Sequence, residues 1–338
     1  MSSKPIERFS KTLDLRKLNR DVQWRKNAAL RRESDARRFA RQTEIVGCPV
    51  CSATTHDMLS NIHGFSYVTC RECTHVYVTN PPLEQALEDF YRNQTSEVNM
   101  RPSEDLLQRD LYLTRVEDIA TPKVQYITES LGKKSKWVDI GCGIGEILLI
   151  AQRMGWQATG IEIDPQEIAI ARGFGLTIVE AIIDSANCNE LLSDADVISL
   201  FSVLEHVRHP RKLLEVIAKA AKPDAALVLE LPHHPSISAF SNMAFPGMIA
   251  RHMLPPNHLM LFTDRSLVAL LTSVGFEPSC IWYFGQDFYE LIGTILANTQ
   301  IGDAAMVHQV MDSIPSVQEA LDRAKLCDEF LIIAKRKQ

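Results

Sequence analysis

No stretch of the 338-residue chain holds eighteen consecutive apolar residues, so no segment reads as a membrane-spanning helix. The first residues are charged rather than apolar, which argues against a secretory leader. There is no internal repeat and no low-complexity tract, which excludes solenoids and biased linkers. Residues 11–44 lack both proline and glycine. Residues 46–80 hold a single Lys or Arg, Arg71, so that segment is a poor match for an anionic polymer. What remains is ordinary: 46% hydrophobic and 23% charged residues, the make-up of a soluble globular protein, at a length that admits two domains.

Charge is unevenly placed. Residues 1–46 carry 13 Lys/Arg against 6 Asp/Glu, while the remainder carries 23 against 36. A basic arm on an acidic body could meet nucleic acid, an anionic glycan or the body itself. The arm is rich in Arg, Leu, Ala and Glu, good helix formers. Leu15, Leu18, Val22 and Ala29 lie near a helical stripe that Arg25 interrupts. This reads as exposed helix with a narrow seam that could bring copies of the chain together, or as a solvated arm.

Eight cysteines are present, four of them in two close pairs, Cys48/Cys51 and Cys70/Cys73, with eighteen residues between the pairs. Without an export signal the pairs read as metal ligands, not as a disulfide framework, and the expected compartment is the cytoplasm. Two C-x-x-C knuckles at this spacing are those of a four-thiolate zinc ribbon, a structural site. A β module of this size needs a metal to be stable. Short β-type stretches at Phe65–Thr69 and Val76–Thr79 flank the knuckles. His56, His63 and His75 are expected at the surface, outside the ligand set. The ribbon is expected to have a core separate from that of the rest of the chain.

A helix is expected from Leu83 to Arg92, and a second helical stretch from Ser103 to Leu131 with a break at Pro122. From Trp137 short apolar strands alternate with amphipathic helices, the pattern of a doubly wound parallel sheet. Strands are expected near 136–140, 158–162, 176–180, 196–201, 225–231, 279–284 and 329–335. Helices are expected near 145–154, 165–173, 187–192, 210–221 and 264–274. The reading is an α/β protein with four parts. They are a basic helical arm (1–45), a zinc ribbon (46–82), a helical linker or cap (83–132) and a seven-stranded Rossmann-like domain (133–338). The last contains a helical insertion at 286–326.

The strongest local signal is the run from Trp137 to Glu146, Trp-Val-Asp-Ile-Gly-Cys-Gly-Ile-Gly-Glu. A buried strand enters a glycine turn that opens a helix, where free N–H groups and positive φ allow close approach of a ligand. Glu146 stands where dinucleotide-binding proteins place a small residue, and Asp139 would repel a pyrophosphate but could pair with an ammonium group. Glu162, ending the second strand, is placed to hold a ribose diol. Asp164 before Pro165 reads as a helix N-cap.

Three stretches, Val138–Glu146, Gly160–Pro165 and Val197–Pro210, resemble successive motifs of class I S-adenosylmethionine-dependent methyltransferases. So do Lys222–Glu230 and Asn257–Thr263, the latter followed by Leu270-Leu271 and Val274-Gly275-Phe276. The resemblance implies that Gly141, Gly143 and Gly145 cradle the methionine part of S-adenosylmethionine. It places Asp139 near the amino group, Glu162 on the ribose and Phe201 in the pocket wall. Glu180 and Asp184 both compete for the adenine contact, Asp184 being preferred. A zinc ribbon ahead of such a domain resembles bacterial sugar and natural-product methyltransferases, which implies a small molecule, nucleotide sugar or glycan as acceptor.

Methyl transfer is an in-line displacement, so the protein positions groups and removes an acceptor proton. His206, beyond the fourth strand, is the first candidate for that base, with an ordinary pKa near neutrality. Glu205 could orient it or replace it, and His258, His233 and His234 face the same sheet edge. His206 could instead only shape the pocket. An Asn/Asp-Pro-Pro-aromatic motif for nucleobase amino-methylation is missing after Phe201, and no nucleophilic cysteine lies there. O-methylation is the preferred reading. C-methylation, an RNA methyltransferase gripping phosphates with ribbon and arm, and a non-enzymatic scaffold are the alternatives.

Overall fold

A computed structural model describes residues 4–11, 22–92, 109–132, 135–248, 251–299 and 304–337. The elements begin with β1 (Ile6–Phe9) and α1 (Val22–Phe39), followed by β2 (His56–Ile62), β3 (Phe65–Cys70) and β4 (Val76–Val78). Helices α2 (Glu84–Arg92), α3 (Arg109–Arg115) and α4 (Thr121–Leu131) come next. An alternation then runs through β5 (Lys136–Ile140), α5 (Glu146–Arg153), β6 (Gln157–Glu162), α6 (Pro165–Gly173) and β7 (Thr177–Glu180). It continues through α7 (Cys188–Leu192), β8 (Val197–Phe201), α8 (Pro210–Ala220) and β9 (Ala226–Pro232). The chain finishes with α9 (Ile237–Ala244), β10 (Met260–Leu261), α10 (Asp264–Ser273), β11 (Phe276–Phe284), α11 (Asp287–Asn298), α12 (Ala304–Arg323) and β12 (Glu329–Arg336).

The large sheet has the order β1-β11-β12-β9-β8-β5-β6-β7. Strands β9, β8, β5, β6 and β7 are parallel, and β12 is antiparallel to both β9 and β11. Each expected strand of the Rossmann-like domain is present, and the apolar runs are explained by two-sided burial. All seven residues of β9 are buried. On one face Val138, Ile140, Ile198 and Leu200 pack under α7, α8 and α10. On the other, Trp137, Val197, Val228 and Leu331 pack under α4, α5 and α6.

The expectations for the arm and linker, and then those for the ribbon, are corrected by the structure. The arm is not helical throughout: Ile6–Phe9 pairs in parallel with β11, Ile6 opposite Cys280 and Phe9 opposite Tyr283, so the sheet has eight strands instead of seven. An edge strand with unpaired amides outweighs the local helix preference of a four-residue stretch. Arg25 does not spoil the α1 surface. It pairs with Glu290 at 2.6 Å and lies 5.0 Å over the Tyr289 ring, docking α1 on α11. Leu15 and Leu18 lie outside the described residues, as do Ser103–Gln108 of the expected second helix. In place of a break at Pro122, a π-type turn, Val116–Ala120, runs straight into α4. Pro122 sits in the first turn of α4, where its missing N–H costs little.

The second correction concerns the ribbon. Its sheet has the order β10-β4-β3-β2, and β10 is supplied by the Rossmann-like part of the chain, between α9 and α10. Met260 lies opposite Tyr77 and Leu261 opposite Val76. Cys48, Val68, Cys70, Cys73 and Tyr77 belong to one continuous core with Leu259, Phe262, Leu267 and Leu270. His75, expected at the surface, is fully buried, with Nδ1 3.3 Å from the Ser266 hydroxyl and its ring 4.8 Å from that of Phe262. His56 is exposed and His63 half-buried. The cores are therefore not separate. A ribbon this small buries little by itself and gains apolar cover from its neighbour.

Because Phe262 is fully buried in this shared core, Phe262→Ala is expected to cost about 3–5 kcal/mol. Tryptophan fluorescence from Trp137 and Trp282 and thiol accessibility of the ribbon should report one coincident unfolding transition. Two resolved transitions would show independent cores.

Candidate active site and metal centre

The glycine turn follows β5. Gly141 and Gly145 both have positive φ, 68° and 83°. A Cβ on Gly145 would lie 2.2 Å from Leu176 and one on Gly141 2.6 Å from Val203, so side chains are excluded at both positions. Beside Gly143 the nearest atom to such a Cβ is the Glu167 carboxylate at 3.5 Å, leaving the turn's middle approachable. Cys142 packs its sulfur against Gly160 of the next strand.

Glu162 is buried at the carboxyl end of β6. One carboxylate oxygen accepts from Gly143 N–H at 2.9 Å, the other from Ile163 and Asp164 N–H at 2.7 and 3.0 Å. Three amides thus fix the carboxylate while it keeps a lone-pair direction for a further donor. Asp164 caps α6, accepting from Gln166 and Glu167 N–H. Asp139 is buried, and its carboxylate accepts from the Ser199 hydroxyl at 2.6 Å, which in turn accepts from the Trp137 indole at 2.7 Å. Burial, reinforced by Glu162 and Glu230 and opposed by the Ser199 hydrogen bond, pushes its pKa up to about 7. An incoming ammonium group would give this carboxylate the counter-charge it needs.

Phe201 ends β8, partly buried on the same face as Asp139. Asp184 is exposed, and its carboxylate accepts from Ala186 and Asn187 N–H ahead of α7; Glu180 is also exposed. These placements give the preferred adenine residue a turn-forming role already.

Beyond β8 lies the short helical turn Leu204–His206. His206 Nδ1 lies 2.9 Å from the Asn257 carbonyl and 3.0 Å from the Tyr91 hydroxyl. An N–H at Nδ1 satisfies the carbonyl and leaves the lone pair on Nε2. Burial, partly offset by the Asn257 and Ser202 carbonyls, draws the His206 pKa down to about 4, below the near-neutral value expected of an ordinary histidine. Glu205 is fully buried with neither carboxyl oxygen hydrogen-bonded among the described residues, and burial pushes its pKa well up. His258 sets its ring edge-on to that of His206, centroids 4.7 Å apart. Glu205, His206 and His258 offer ligand atoms within 4.8 Å of one another, a spacing that could hold a cation but is too wide for a direct hydrogen bond between Glu205 and His206, 4.0 Å apart.

His233 sits apart from that cluster's hydrogen bonds. Its Nδ1 lies 3.0 Å from the Cys327 carbonyl and its Nε2 3.4 Å from Asp264, with the ring packed on Tyr283 and Phe330. His234 Nδ1 has no hydrogen-bond partner among the described residues, and burial, with the neighbouring His233, draws its pKa to about 4. Tyr91 was not foreseen. It comes from α2, outside every recognisable motif, and only its place on the inner side of an amphipathic helix could have pointed to it.

In the ribbon, Cys48 Sγ lies 3.6 Å from Cys73 Sγ, and Cys51 Sγ 3.5 Å from Cys70 Sγ. All four sulfurs fall within 4.8 Å of one another. Tetrahedral zinc at its usual bond length to sulfur spaces thiolates about 3.8 Å apart, so the donor set and its spacing fit one Zn²⁺. The knuckles are bolted to the large domain. Arg211 of α8 donates to the Val50 carbonyl at 2.9 Å, Arg265 of α10 to the Glu72 carbonyl at 2.6 Å, and the Thr74 and Thr263 hydroxyls lie 2.7 Å apart.

Elemental analysis of protein prepared without chelator is expected to find one zinc per chain. Because the core is shared, stripping that zinc should lower the melting temperature of the whole protein, beyond the ribbon. Metal-free protein with an unchanged melt would refute the assignment.

A family model described as a methyltransferase domain matches residues 112–281, half of the chain. The mitochondrial ubiquinone biosynthesis O-methyltransferase of Schizosaccharomyces pombe is 29% identical over 118 residues, 32% of this chain and 43% of that protein. The ubiquinone biosynthesis O-methyltransferase of Idiomarina loihiensis is 29% identical over 116 residues, 33% of this chain and 47% of that protein. The chain thus spans less than half the length of either relative. The crystal structure of a SAM-dependent methyltransferase from Archaeoglobus fulgidus aligns with a TM-score of 0.47 at 20% identity, covering 69% of this chain and 100% of that one. With the parallel sheet, its glycine turn and the acidic residue ending the next strand already in place, the match over residues 112–281 makes the chain a member of the methyltransferase-domain family.

Proposed function

We propose that the protein transfers a methyl group from S-adenosylmethionine to a hydroxyl oxygen of a small molecule, with His206 as general base. The acceptor class that the ribbon-bearing architecture favours is a nucleotide sugar or glycan. The observation that carries the reading is the His206 imidazole, held neutral by burial and fixed in one tautomer beside the carboxyl edge of the sheet.

When bound, S-adenosylmethionine supplies an electrophilic methyl group on a sulfonium. The chain's own residues do the rest. Asp139 would hold the ammonium group, Glu162 the ribose hydroxyls and the Gly141–Gly145 turn the methionine backbone. His206 Nε2 takes the acceptor proton as oxygen attacks. The Asn257 carbonyl accepts from Nδ1–H throughout and stabilises the imidazolium that results. Glu205, 4.0 Å from Nε2, places a carboxyl group beside that new charge. Tyr91 adds a hydroxyl on the opposite nitrogen. A base with this pKa is weak, so the proton moves late, once bond formation has made the acceptor oxygen acidic.

The relatives named for ubiquinone biosynthesis are O-methyltransferases, which supports oxygen over carbon or nitrogen as the acceptor atom. A ribbon bolted face-on to α8 and α10 speaks for a structural module and against a nucleic-acid clamp.

Calorimetry should show binding of S-adenosylmethionine and S-adenosylhomocysteine, and Glu162→Ala should weaken both by about 1.5–3 kcal/mol, the worth of a charge-assisted hydrogen bond. Binding of NAD(H) but of neither of these would end the proposal. His206→Ala should lower turnover by about 10²–10⁴-fold with cofactor affinity nearly unchanged. The sign of the pH effect follows from the lowered pKa: the base form is lost only as pH falls through about 4. The acid limb of the wild-type rate profile should therefore lie well below pH 6. An acid limb near 6.5 that disappears in His206→Ala would contradict the burial described above, and near-normal turnover of the variant would remove His206 from the mechanism.

A further inference from the structure

The arm that supplies β1 delivers a lysine to the same sheet edge and the same face as Asp139 and Phe201. Ser10 N–H donates to the Tyr283 carbonyl and the Trp282 indole donates to the Ser10 carbonyl, both at 2.9 Å. These bonds clamp the chain leaving β1 at the end of β11. Lys11 follows, with Nζ 5.4 Å from the Phe284 ring centre. From α4, Lys123 places Nζ 5.9 Å from the centres of both Phe284 and Phe201. Two ammonium groups thus share one aromatic wall beside the tip of β8.

Their counter-charges are unequal. Lys123 is buried and paired with both carboxylate oxygens of Glu230 at 2.6 Å. Glu329, which also acts on Lys11, is engaged by Arg251 at 2.5 Å. Arg115, a further cation acting on Lys11, is matched by Glu146. Lys11 itself makes no ion pair among the described residues. Burial and the neighbouring Lys123 draw its pKa down to about 7. A cation held there with no ion pair among the described residues is costly to the fold unless an anion completes the site.

We propose that Lys11 and Lys123 bind an anionic group of the methyl acceptor, a carboxylate or a phosphate, seated against the Phe201 and Phe284 rings. This rests on the reading of the site as a methyltransferase centre and narrows it: the acceptor carries a negative charge close to the hydroxyl that is methylated. Lys11 is then a binding residue supplied by the arm. Lys123 holds Glu230 and the anion together, and an apolar replacement there would strand Glu230, so the test falls on Lys11.

The 338-residue protein, prepared without chelator, is titrated with benzoate, phenyl phosphate and phenol, with and without saturating S-adenosylhomocysteine, read by tryptophan fluorescence. At least one anion is expected to bind tenfold or more tighter than phenol, and which of the two does so separates carboxylate from phosphate recognition. Lys11→Met should remove about a tenfold share of that binding, the size of a charge-assisted contact. Lys11→Arg should restore it, and S-adenosylhomocysteine affinity should stay within twofold in both variants. If the wild type binds neither anion better than phenol, the proposal is overturned without reference to any variant. It is overturned equally if Lys11→Met keeps full anion binding, or if it loses S-adenosylhomocysteine affinity, which would assign the lysine to the cofactor's own carboxylate. Failure of S-adenosylhomocysteine to bind the wild type would sink the methyltransferase reading instead, and the anion titration without it still decides whether Lys11 binds anions.

Discussion

The pairing of Met260 and Leu261 with Tyr77 and Val76 joins two sheets that would otherwise be separate bodies. Only two residues of β10 take part, yet the consequences reach the active site. Val78 N–H donates to the Leu259 carbonyl, and Leu259 N–H donates to the Glu205 carbonyl. The Tyr67 hydroxyl of the ribbon donates to the His258 carbonyl at 2.7 Å. Residues 257–262 are therefore a splice, held on one side by the ribbon and on the other by the turn that carries Glu205 and His206. The Asn257 carbonyl that fixes the His206 tautomer belongs to the same segment. The cysteine cluster is thus tied to the turn that carries His206 by a chain of backbone hydrogen bonds.

The carboxyl edge of the sheet gathers ionisable groups where water is scarce. Burial raises Asp139 and Glu205 and lowers His206 and His258, so each is biased towards its neutral form. Such an edge is poised to accept charge from a ligand, because each unit of charge that arrives finds a group whose own charge burial had disfavoured. The same low-polarity setting strengthens the directional bonds of the Trp137–Ser199–Asp139 relay.

The doubly wound domain could be read from the chain because two-sided burial writes strands as apolar runs, as in Val197–Phe201 and Ala226–Leu231. The glycine turn and the cysteine knuckles were legible for a related reason: their chemistry depends on local spacing. Strands β1, β2 and β10 left no such mark. His-Asp-Met-Leu-Ser-Asn-Ile is largely exposed and mixed in character, and the other two are short segments whose conformation is set by a distant partner. Tyr91, Lys11 and Lys123 escaped notice because helices and an arm outside the motifs bring them in. The burial of His75 followed from a docking surface that spacing within the ribbon does not encode, and so did the low pKa of His206.

Strand β1 also bears on how the protein behaves in company. Without it β11, nine residues long, would present an open row of amides and carbonyls, an invitation to pair with a neighbouring molecule. The new border is only four residues long and carries Glu7 and Arg8, and at the opposite border β7 is equally short. The arm thus closes the sheet against edge-to-edge association, and a chain shortened at its beginning would trade a folded edge for a sticky one.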